Sequence, residues 1–177
     1  MSLYKGLIQS VVKSCRNKTP KLPALPNTPT ADWVTHSGMP YLPLKVEIPT
    51  TAIAQEIAAI EDLFVEHREQ YGEHEGWSSF CIHGKAYNAT REDSYYNDDR
   101  THSWTLEAEQ RMPATVDFFK NHWFGNTFLR LRVMRLAPGG YITLHSDGGP
   151  GELYPVNIAI TQPEGCEFVF EEHGLVP

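Results

Sequence analysis

The sequence predicts an α+β fold with its helices first and an antiparallel β core last. Apolar residues keep the helical period in the N-terminal part, and side chains alternate at the period of two in runs after Trp77. The last stretches follow one another as strands rather than alternating with long helices. Each element follows from these patterns. In Met1–Thr30, Leu3, Leu7, Ile8, Val11 and Val12 recur at helical spacing, beside Lys5, Lys13, Arg16, Lys18 and Lys21 and no acidic residue. This reads as an amphipathic helix docking on the domain, with a basic face laid on a membrane surface as the sharper alternative. Gln9 and Ser10 interrupt the apolar run, which argues against a targeting signal. Four prolines between Thr19 and Thr30 make an extended connector. Residues 1–30 are thus a basic helix and connector, and 31–177 the domain.

Within the domain, Ile53, Ile57, Ile60, Leu63 and Phe64 form one apolar stripe with Glu56, Glu61 and Glu66 elsewhere, which predicts a helix from Pro49 to about Tyr71-Gly72. Trp77–His83 reads as a strand. Asn88–Ser103, carrying Tyr95, Tyr96 and Arg100, reads as a long polar loop, exposed or acting as a substrate lid. Pro113–Trp123 is a short helix burying Val116, Phe119 and Trp123. Phe128–Leu136 alternates as a strand, Pro138-Gly139-Gly140 breaks it, and Tyr141–Asp147, Val156–Thr161 and Cys166–Glu171 are the remaining strands.

Composition excludes several functions. A net charge of −7 lacks the basic face that phosphate contacts need, so no nucleic-acid partner is expected. No apolar run approaches the ~18 residues of a membrane span. Three cysteines without a CxxC spacing give neither a disulfide framework nor a zinc ribbon, and a reduced, cytoplasmic compartment fits. Cys81 and Cys166 lack a basic sequence neighbour and read as core fillers rather than nucleophiles.

The chemistry concentrates at His145-x-Asp147. On a strand, alternate side chains share a face, so imidazole and carboxylate point the same way, as two ligands of a divalent metal do. Chance supplies roughly 0.3 such matches in a chain of this composition, so the spacing needs its context. Alone, the pattern equally describes a hairpin with a solvated face on which the two residues hydrogen-bond each other. His83 and His102 read as ordinary histidines with a route to the cleft. Arg130 and Arg132, one strand away, face either an acidic ligand or solvent.

Five segments in order, RVMRLAPGG, YITLHSD, GGPGELY, PVNIAIT and QPEGC, resemble the aspartyl/asparaginyl β-hydroxylase family of iron(II)- and 2-oxoglutarate-dependent dioxygenases. The resemblance runs from about Trp77 onward and implies a double-stranded β-helix, or jelly roll, lacking its last strands here. It implies His145 and Asp147 as metal ligands and catalytic residues, and Trp77 and Asn157 beside the co-substrate. Iron(II) and 2-oxoglutarate are the implied cofactors, and the implied activity is hydroxylation of an amino acid or of an amino-acid side chain in a peptide. Pro155-Val156-Asn157 stands where relatives often carry Arg-x-His, which removes a residue that in relatives holds an acidic substrate. The second metal histidine is expected beyond Pro177, since His173 sits beside Gly174 in a turn and comes too early. On that reading the 177-residue chain is by itself inactive, and its unpaired sheet edges favour association. The rival of another class is a non-catalytic jelly-roll module binding a small molecule or peptide; metal-assisted hydrolysis lacks a base or second metal cluster.

Overall fold

The computed structural model describes residues 3–16, 41, 43–67, 74–89, 102–125, 128–145, 155–171 and 173–176. It is a mixed α+β structure with antiparallel sheets, and the described strands do not close into a barrel. Two units separate, one drawn from Met1–Ile48 with Gln162–Pro177 and the other from Pro49–Thr161.

In the first unit, helix α1 (Leu3–Cys15) packs against a small hairpin. Its buried Cys15 thiol donates weakly, at 3.6 and 3.7 Å, to the carbonyls of Phe170 and Glu171. Arg16 meets Glu167 through two hydrogen bonds of 2.8 and 3.1 Å. Helix α1, expected to dock on the domain, meets this hairpin of its own unit. Among the described residues no helix is long and apolar enough to cross a membrane.

The second unit holds the larger sheet. Helix α2 (Thr50–Ala59) gives way to a 3-10 turn at Glu61–Leu63 and then to strand β1 (Val65–Glu66). The helix expected to reach Tyr71 thus ends a dozen residues early, and Tyr71 itself lies outside the described residues. At the end, Ile60 turns its N–H to the Ile57 carbonyl, and Val65 and Glu66 pair with Ser79 and Ser78. β-pairing of the branched Val65 outweighs the apolar stripe. Strand β2 (Glu75–Gly84) confirms the run beginning at Trp77, and it pairs with β3 (Ser103–Trp104) and β4 (Leu131–Tyr141).

Pro138-Gly139-Gly140 does not break the chain into a hairpin. β4 runs through it as a bulge, advancing from Leu136 to Tyr141 while its partner passes only from Trp77 to Glu75. Glycine is required there: a Cβ on Gly140 would stand 2.6 Å from the Glu75 carbonyl, and Gly76 and Gly139 have φ of +70° and +76°. Residues 142–145 continue outside any ladder, so the expected second strand is not formed within its described part.

Helices α3 (Leu106–Arg111) and α4 (Pro113–Asn121) cover one sheet face. Thr105 starts α3 by accepting the Ala108 N–H and by donating its hydroxyl to the Cys81 carbonyl. Helix α4 has no cap of its own. Glu56 supplies one from α2, its carboxylate accepting from the N–H groups of Ala114 and Thr115 at 2.7 and 2.9 Å and from the Thr115 hydroxyl at 2.6 Å. Ile60, Phe80, Ile82, Ala108, Met112 and Val116 form the core beneath these helices.

The C-terminal strands are shorter than expected. Residues 155–160 lie outside any strand, and β5 (Val169–Phe170) pairs with β6 (Gly174–Leu175). Gly165, φ +83°, closes a turn in which the Cys166 N–H reaches the Pro163 carbonyl. Cys166 is exposed, not a core filler, because its backbone rather than its side chain closes that turn; Cys81 is buried as expected. His173 sits in the β5–β6 turn, as its neighbour Gly174 implied.

Candidate functional site

Pairing assigns the faces of the large sheet. Ser78, Phe80 and Ile82 alternate toward the helices, whereas Trp77, Ser79 and Cys81 point the other way, opposite Leu136, Met134 and Arg132 of β4. On this second face three histidines gather around the buried Trp77. His67 lies 4.1 Å from it, His74 stands edge-on at 4.7 Å, and His145 is at 6.4 Å, all between ring centroids. His74 and His145 are themselves 6.5 Å apart.

Hydrogen bonds distinguish the three. His145 Nδ1 lies 2.7 Å from the Thr143 carbonyl oxygen, which only accepts, so Nδ1 donates; in the neutral ring the lone pair is then on Nε2. His74 is the reverse: its Nδ1, 3.1 Å from the Thr143 backbone nitrogen, accepts, so its proton is on Nε2. His67 is buried and shares a 2.8 Å bond with the Ser79 hydroxyl, while its backbone N–H reaches the Trp77 carbonyl at 2.9 Å. His145 has the tautomer of a metal-bound imidazole fixed through its other nitrogen, His74 does not, and the hydroxyl partner of His67 suits either tautomer. Trp77 adds a buried indole Nε1–H with no hydrogen-bond partner among the described residues. A buried donor left so is costly and rare, and an acceptor of a bound molecule would satisfy it.

The structure therefore brings together Trp77 and His145. Asp147 lies outside the described residues, as do Tyr95, Tyr96 and Arg100. Asn157 is exposed on a segment outside any strand, where a strand at Val156–Thr161 was expected. Among the described residues no group of three His, Cys, Asp or Glu side chains is placed to hold one metal ion. Arg132 lies on the Trp77 face and donates to the Ala89 carbonyl at 2.9 Å. Its charge opposes the burial that pushes the Cys81 thiol up; burial prevails, so Cys81 remains a protonated filler.

His83 and His102 form a separate cluster with Trp104 and Phe128, their own rings 6.3 Å apart. His102 Nδ1 donates to the Leu129 carbonyl. Burial first, and His102 second, hold the His83 imidazole below its ordinary range. A shallow groove of about 460 Å³ at Thr50, Thr51, Ala54, Gln55, Ala58 and Ile160 contains no titratable side chain, which directs attention back to Trp77. His67 and His74 are the functional candidates that sequence reasoning missed; two Glu-His pairs within a dozen residues before Trp77 were the available signal. Comparison with family models, curated proteins and solved structures finds no match to this chain.

Proposed function

We propose that this chain carries the His145 face of an iron(II)- and 2-oxoglutarate-dependent hydroxylase acting on an amino acid or on an amino-acid side chain in a peptide. The observation that supports it is the tautomer of His145, which carries its ring proton on the Nδ1 facing a backbone carbonyl and a lone pair on Nε2, beside Trp77. In this reading the sheet is part of a jelly roll, and Asp147 joins His145 as the second ligand. When bound, iron and 2-oxoglutarate supply the oxygen activation needed to hydroxylate an unactivated C–H bond.

The protein's own groups do the rest. Trp77 would form a flat apolar wall that limits water, and its indole N–H would donate to an oxygen of a bound co-substrate. His67, tied to Ser79, backs that wall and fixes its orientation. The His74 Nε2–H is a second neutral donor on the same face.

Calorimetric titration with cobalt(II), a stand-in for iron(II), tests the reading in the presence and absence of 2-oxoglutarate. Weak cobalt binding that strengthens with 2-oxoglutarate and disappears in His145→Ala is expected. Cobalt binding unaffected by His145→Ala would overturn it. Binding of 2-oxoglutarate or an amino acid equally well with and without metal would favour the non-catalytic module instead.

A further inference from the structure

The corner where β3 and β4 flank the end of β2 is held by few backbone pairs. β3 contributes only Trp104 opposite His83 and Ser103 opposite Gly84, and β4 begins at Leu131 opposite His83, beside a register shift between Cys81 and His83. Side chains add to these pairs. The carbonyl of Leu129, just before β4, accepts from Nδ1 of His102, just before β3, and the same backbone group accepts from the His83 imidazole of β2. Because His83 Nδ1 has no hydrogen-bond partner among the described residues, Nε2 is the nitrogen that donates. One carbonyl, with its two lone pairs, thus fastens two histidines.

Each ring keeps one buried nitrogen without a hydrogen-bond partner among the described residues, Nδ1 of His83 and Nε2 of His102. In neutral rings both are acceptors. Protonating either would create a buried donor with nothing to accept it, and protonating both would put two charges on rings 6.3 Å apart. Trp104 and Phe128 pack on the pair, and the Trp104 ring already faces the Lys120 ammonium at 5.2 Å. Adjoining elements also carry Cys81 and Lys85 from β2 and its end, Arg130 and Arg132 from β4 and its start, and the α3 carboxylates Glu107 and Glu109, the latter bonded to Lys120. Burial keeps the Cys81 thiol protonated. Carboxylates, ammonium and guanidinium groups ordinarily hold their charge between about pH 7.5 and 5.5, where imidazoles titrate.

We infer that His83, His102 and the Leu129 carbonyl form a proton-sensitive latch: neutral imidazoles close the corner where β3 and β4 meet β2, and proton uptake by the pair opens that corner ahead of the helical core. The burial that holds His83 below its ordinary range acts in the same direction. A histidine that takes its proton only in the open form raises the open fraction about 10-fold between about pH 7.5 and 5.5. The latch is independent of the function proposed above.

Hydrogen exchange of the 177-residue protein, read by mass spectrometry and corrected for the intrinsic pH dependence of amide exchange, tests it. Exchange in segments 102–105 and 129–132 should quicken about 10-fold from about pH 7.5 to 5.5 and be insensitive to low urea, since a local opening exposes little surface. Residues 112–119 of the helical core should exchange more slowly and respond to urea. His83→Gln places an uncharged amide N–H where Nε2 stands, and His102→Asn does so for Nδ1. Each should keep the corner protected at the higher pH, and the double variant should lose the pH response. Corner exchange that is flat with pH in wild type would overturn the inference, as would a pH response that survives the double variant. A corner that shares the rate and urea response of 112–119 would also overturn it, because it then opens only with the whole unit. If the double variant is unprotected even at the higher pH, the single variants decide: a diminished response supports the latch, and an unchanged one refutes it.

Discussion

The two faces of β2 obey different rules, although they alternate residue by residue on one strand. Toward the helices, Phe80 and Ile82 are almost wholly buried among Ile60, Ala108, Met112 and Val116, a purely apolar contact. Toward the other side, Ser79 is equally buried yet meets His67, and Trp77 is ringed by imidazoles. The first face is stabilised by area removed from water. The second buries polar atoms, each of which needs a partner, and the Trp77 N–H has none among the described residues. Fold stability and chemical potential are therefore separated by the pleat of a single strand.

Four substitutions or conditions sharpen this contrast. Phe80→Ala should be the most damaging, costing about 3–5 kcal/mol in urea unfolding through lost burial and a cavity. Glu56→Ala removes the carboxylate that caps α4 and should cost about 1–2 kcal/mol in the same assay, with no effect on His145. A loss as large as that of Phe80→Ala would mean the helices depend on more than the cap.

The pH dependence comes next. His83 is held below its ordinary value of 6.5, chiefly by burial. The unfolded chain takes up this proton near pH 6.5 and the folded chain only at lower pH. Stability should therefore fall as pH drops from about 6.5, then level once both states are protonated, with no contribution above that range. Thermal melts from pH 8 to 5 should show the decline, and His83→Asn should flatten it. The smallest effect is expected for Trp77→Phe, which keeps an aromatic wall and removes only the N–H. Binding of 2-oxoglutarate with cobalt should weaken by up to about 10-fold, one hydrogen bond's worth. No change would mean the indole N–H does not meet the co-substrate.

These contrasts also explain how far the sequence was legible. The alternation from Trp77 to His83 was readable because local pattern and tertiary pairing agree there. The end of α2 was not, because a two-residue strand pairing with Ser78 and Ser79 interrupts an apolar stripe that still looks helical. Helix α3 was missed: six residues are too few to show a period, and only Thr105 followed by Glu107 and Glu109 marked its start. At the site, strand-face spacing picked out His145, and the resemblance picked out Trp77. His67 and His74 escaped because neither lies in a recognisable strand run; His67 follows β1 and His74 precedes β2, and both rings meet Trp77 of β2. The bulge at Pro138-Gly139-Gly140 looked like a hairpin turn because both use the same residues.

The central proposal is that a divalent metal would bind on the face bearing Trp77 and His145 and not at the cluster of His83 and His102. Manganese(II), added in small amounts to the ¹⁵N-labelled protein, tests it directly, because its unpaired electrons broaden nearby N–H signals. The indole N–H of Trp77 should broaden before that of Trp104, and His145→Ala should abolish the difference. Broadening that begins at Trp104, or that survives His145→Ala, would contradict the account.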